Sequence, residues 1–133
     1  MHVRGIFDQV TWDRFAQEKP DEVFAMMTGF CDGFYEHHFG ITLGAPTVDV
    51  DAVCRITGDF VVLDLKAEVG PDQYSVIVPK GLADVRGGEI SQLVQQSLPS
   101  DRKLYTVKYV SEAAAKFSPE WVIYASEIPR TVN

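Results

Sequence analysis

A run of strict alternation constrains this chain more than any other feature. From Thr47 to Thr57, the residues Val48, Val50, Ala52, Cys54 and Ile56 alternate with Thr47, Asp49, Asp51, Arg55 and Thr57. Successive side chains of a strand point to opposite faces, so the pattern predicts a strand with one apolar side. Gly58-Asp59 supplies a tight turn, because glycine accepts positive φ without steric cost. The alternation resumes with Val61, Leu63, Leu65, Ala67 and Val69 on one side and Asp64, Lys66 and Glu68 on the other. Gly70-Pro71-Asp72 is a second turn, and Tyr74, Val76 and Val78 carry a third strand to Pro79, which lacks an N–H and ends it. The stretch predicts a three-stranded antiparallel meander over 47–79. Its polar side carries Asp49, Asp51, Arg55, Asp64, Lys66 and Glu68. One wet face is the usual antiparallel arrangement. The sharper reading is a polar face for a ligand or partner.

The flanks supply the cover. Residues 1–10 read as irregular chain or a short edge strand. Thr11 suits the cap of a short helix that would bury Trp12, Phe15 and Ala16. From Pro20 to His38, Val23, Met27, Phe30 and Phe34 recur at helical spacing, with Asp21 and Glu22 at the positive end of the helix dipole. Glu89 to Leu98 reads as a second amphipathic helix through Ile90, Leu93, Val94 and Leu98, while 80–86 allows one helical turn. A fourth strand is predicted at 104–110. The run Trp121-Val122-Ile123-Tyr124, rich in aromatic and β-branched residues, favours a fifth strand over 121–127 rather than a helix. The expected fold is one α+β domain over 1–133. It has an antiparallel sheet of four to five strands, with helices 20–38 and 89–98 packed on one face.

Composition narrows the function classes. A net charge of −7 opposes binding to a nucleic-acid backbone or an anionic membrane surface by bulk electrostatics. No run of 18 apolar residues stands ready to span a bilayer. The opening residues lack the apolar core of a signal peptide, and two cysteines, Cys31 and Cys54, build no disulfide framework. A reducing cytoplasm is the expected setting.

The helix over 20–38 holds Gly29-Phe30-Cys31-Asp32-Gly33-Phe34. An interior glycine costs about 1 kcal/mol relative to alanine. That cost points to a notch admitting a large side chain or another backbone, or to a ligand slot beside the helix. Gly29, Phe30, Gly33, Phe34 and His37 are therefore the candidate binding residues. Cys31, Glu36, His37, His38 and Cys54 lack paired metal-ligand spacing, so no metal or other cofactor is expected. Cys31 and His38 stand about 10 Å apart along a helix, too far for a thiolate and its base. Both cysteines read as small core hydrophobes.

Two carboxylate arrangements carry the alternative chemistry. Asp49 and Asp51 project from one strand face about 7 Å apart, a spacing that suits paired carboxylates but also an ion-pair lattice with Arg55 and Lys66. The run VPKGLA followed by GEISQL faintly resembles the CheX/CheC-type chemotaxis phosphatases. In that family a helical Glu-x-x-Asn anchors the partner and positions a water. The resemblance puts Glu89 and Gln92 in those positions, with Gln replacing Asn. It covers a minority of the chain and does not establish membership. The preferred expectation is a non-enzymatic binding or regulatory domain acting as a homodimer, with itself, another protein or a small molecule as partner. The alternative is a small hydrolase or phosphatase using Glu89 and Gln92 or Asp49 and Asp51.

Overall fold

The computed structural model describes residues 2–16, 27, 29–30, 33–34, 36–37, 40, 50–67, 74–97, 104–110 and 118–126. Six strands form one sheet: β1 (His2–Asp8), β2 (Val50–Thr57), β3 (Phe60–Ala67), β4 (Tyr74–Pro79), β5 (Leu104–Tyr109) and β6 (Trp121–Ser126). Three helices accompany them: α1 (Gln9–Ala16), α2 (Lys80–Val85) and α3 (Gly87–Ser97). Met27, Gly29, Phe30, Gly33, Phe34, Glu36 and His37 are also helical. The class is α+β, as the pattern predicted.

β2 and β3 form the predicted antiparallel hairpin, with Thr57 opposite Phe60. Gly58 closes it at φ 60°, a left-handed conformation that glycine adopts freely. Residues 121–126 are a strand, which decides the ambiguity of that run. Residues 80–85 make a short helix of their own. Thr11 lies inside α1 rather than capping it, because the helix starts at Gln9.

The meander is overturned. The strand order is β2-β3-β1-β4-β6-β5, so β1 lies between β3 and β4. β1 pairs antiparallel with β3 and parallel with β4, and the sheet is mixed, with six strands rather than four or five antiparallel ones. Alternation fixes which face a side chain takes. It does not fix which strand lies alongside. β1 is central rather than irregular or at an edge, because it is apolar in both directions: Val3 and Phe7 face one side and Ile6 the other, all buried. Such a strand shows no clean alternation and is hard to read from sequence.

The helices do not share a face. The helical residues Met27, Phe30 and Phe34 cover one side of the sheet, against Val3, Phe7, Leu63, Ile77, Trp121 and Ile123. Ile90 and Val94 of α3 cover the other side, against Ile6, Phe60, Val62, Val76 and Val78. Central strands that are apolar on both sides need cover on both sides, and each buried Val, Leu, Ile or Phe contributes about 1.5–3 kcal/mol. Cys54 is also corrected: it is exposed, not a core residue. It sits on β2 at the end of the strand order, where Val53 and Ile56 are likewise 58% and 75% exposed.

Candidate functional site

Among the described residues, the side of the sheet that carries α3 is covered only in part. Its side chains fall into cross-strand rows. The row of Arg55, Val62 and Ile6 leads to Val78 and lies near α3. The next row reads Val53, Asp64, Arg4, Val76 and Tyr124. The last reads Lys66, His2 and Tyr74, with Asp51 at the register position beyond Lys66. These two rows bound a groove of about 260 Å³ lined by His2, Arg4, Val53, Asp64, Lys66 and Tyr74, among others.

Each wall of the groove has a local cause. His2 and Tyr74 are register partners on the parallel pair, and their rings stack at 4.5 Å with planes 3° apart. Tyr74 is anchored through its backbone: its N–H donates to Ser126 Oγ at 3.1 Å. Arg4 stands opposite Asp64, and its Nε donates to Asp64 Oδ1. Arg55 Nη2 lies 3.6 Å from Asp64 Oδ2, so one part-buried carboxylate sits between two guanidiniums. Lys66 is exposed beside His2. Val53 and Val76 supply apolar floor. Burial pushes the Tyr124 phenol above its ordinary value. Among the described lining residues, the cations Arg4 and Lys66 stand against the carboxylate of Asp64, in a chain whose net charge is −7.

A second depression, of about 230 Å³, lies between the β2–β3 turn and α3 and includes Glu89 and Gln92. Here Arg86 acts as a clip. Its Nε and Nη2 donate to the two Glu89 carboxylate oxygens at 3.0 and 2.6 Å, and its Nη1 donates to Asp59 Oδ2 at 3.1 Å. The guanidinium also lies 4.7 Å from the Phe60 ring centroid. Both Glu89 oxygens are therefore engaged, which ties the start of α3 to the hairpin turn. Arg86→Ala is expected to lower the melting temperature modestly, and the gap from wild type should shrink in molar salt as screening removes the ion pairs. Thermal unfolding at low and high salt checks this.

The predicted site residues are scattered. Phe30 and Phe34 are in the core, where both meet the Tyr109 ring edge to face, at 4.9 and 5.8 Å. The notch reading fits Gly33: a Cβ there would lie 3.1 Å from the Tyr109 hydroxyl. It does not fit Gly29, which is exposed, with open space where a Cβ would go. His37 is exposed, with its ring 6.4 Å from that of Tyr109. Asp49, Cys31 and His38 lie outside the described residues. Asp51 holds a register position opposite Lys66. Burial pushes the Cys54 thiol up, away from the thiolate that nucleophilic chemistry needs.

Sequence reasoning missed His2, Arg4 and Tyr74. The usable signal was Arg4, a charge interrupting an otherwise apolar HVRGIF run. Among the described residues, no three His, Cys, Asp or Glu side chains converge as a metal site would need. Among them, too, no helix is long and apolar enough to cross a membrane. No family model, curated protein or solved structure matches this chain.

Proposed function

We propose that this chain is a non-enzymatic binding domain that works as a homodimer, and that the groove over Arg4 and Lys66 holds a compact anionic small molecule. One observation carries the reading: among the described lining residues, cations outnumber carboxylates in a concave, part-apolar groove on a strongly acidic chain. Arg4 spends one N–H of its fork on Asp64, and the remaining N–H groups suit a carboxylate or phosphate oxygen. The Asp64 pairing also fixes the guanidinium before a ligand arrives, which lowers the entropy lost on binding. The groove is below the usual volume range of drug-sized sites, which favours a small acid over a nucleotide. The hydrolytic alternative through Glu89 has weaker support, because Arg86 already holds that carboxylate.

The test is a thermal-shift screen of small mono- and dicarboxylates and phosphate esters, followed by calorimetry on any that stabilise. A ligand that binds the folded state raises the melting temperature with its concentration. Lys66→Glu is expected to weaken the best anion by about 10- to 100-fold, the size of a lost charge-assisted hydrogen bond, while Lys66→Arg retains most of the affinity. A wild type that responds to no anion, or a Lys66→Glu variant that binds as wild type does, sinks the reading.

A further inference from the structure

We infer that two copies of this chain associate through β2, edge to edge and antiparallel, about a two-fold axis that passes beside Val53. The inference shares with the proposed function only the claim of self-association, and the groove can hold its anion with or without it. β2 ends the strand order, and among the described residues no strand pairs with its outer backbone groups. Such an edge is a template for another strand unless it is blunted. β2 has the sequence VDAVCRIT, with no proline and no lysine. Val53 and Ile56 are 58% and 75% exposed, on opposite faces of the strand.

Charge complementarity names the occupant. With the axis at Val53, Val53 faces itself, Ala52 falls opposite Cys54, and Val50 falls opposite Ile56. Asp51 then falls opposite Arg55 of the second copy, twice over. Opposite residues of an antiparallel pair share a face, so apolar register positions stand opposite apolar ones and each acid position stands opposite a base. Moving the axis by half a residue puts Asp51 against Ile56 and Ala52 against Arg55, which mixes the two faces. The other end of the sheet behaves differently. β5 carries Lys108 as its one charge, and a second copy of β5 offers it no acid. The β2 pairing also changes the groove: the row of Lys66 and His2 gains Arg55 of the second copy at its rim, beyond Asp51.

Sedimentation velocity at high micromolar concentration reads the outcome. Wild type is expected to be dimeric. Asp51→Arg alone and Arg55→Asp alone are expected to associate at least about tenfold more weakly, and the combined variant to regain the dimer because the swap restores both pairs. Val53→Lys, at an exposed position that tolerates charge, sets like charges across the axis and is expected to give a monomer with the circular dichroism of wild type. A monomeric wild type, a dimeric Val53→Lys, or a combined variant weaker than both single ones would overturn the inference. The two proposals fail separately. A dimer that binds no anion removes the ligand, whereas a monomer that binds one removes the homodimer and this interface together and leaves the anion groove standing.

Discussion

Trp121→Ala is expected to destabilise the protein by about 3–5 kcal/mol, the range for deleting a large aromatic from a core. Small domains keep only about 5–15 kcal/mol in total, so this loss is a large share of the protein's stability. Trp121 is fully buried. Its ring meets Phe7 of β1 edge to face at 6.0 Å and Phe30 at 5.9 Å. It stands opposite Pro79 and Tyr109 in the sheet. One side chain thus joins three strands and the covering helix, and no neighbour can collapse into its place without breaking those ring contacts. Urea denaturation followed by circular dichroism measures the loss. A change below about 1 kcal/mol would mean that the core is not built this way. Val10→Ala, at a position 64% exposed, is the matched control and should be close to neutral.

Gly5→Ala comes next in size and runs against the ordinary rule. Alanine usually stabilises a strand relative to glycine by about 0.5–1 kcal/mol. Here a Cβ would stand 2.5 Å from Phe7 Cζ and 3.0 Å from Met27 Cε. Residues two apart on a strand share a face, and the Phe7 ring lies back over Gly5. The added methyl must push the ring out of a core position that is fully buried. The expected loss is about 1–3 kcal/mol, the cost of overpacking. Phe7→Leu costs stability alone but should cost less in the Gly5→Ala background, because the clash is gone. A double-mutant cycle in urea reads that coupling, and strictly additive losses would contradict the contact.

Legibility in the sequence followed the physics of each element. The β2–β3 hairpin was readable because its sequence alternates: the polar series Arg55, Asp64 and Lys66 marks one side, and Gly58-Asp59 marks the turn. The strands at 104–109 and 121–126 were readable from aromatic and β-branched content. The centre was not. β1 buries Val3 and Phe7 on one side and Ile6 on the other, so it erases the alternation that identifies a strand. With residues 1–10 read as irregular chain or an edge strand, β3 and β4 looked adjacent, and the second cover of the sheet had no reason to exist. The groove was half legible for the same reason. Asp64 and Lys66 were on the polar face in the alternation, but Arg4, His2 and Tyr74 join them only once β1 is placed between β3 and β4.

That placement also bears on how the chain reaches its native state. His2 must meet Lys66 on one side and Tyr74 on the other, and neither partner is near it along the chain. Local hairpins such as β2–β3 form in microseconds, whereas a middle strand joined only to distant segments waits for their loops to close. The two halves of the sheet are therefore expected to assemble separately, and closure of the N-terminal strand between them sets the pace of folding.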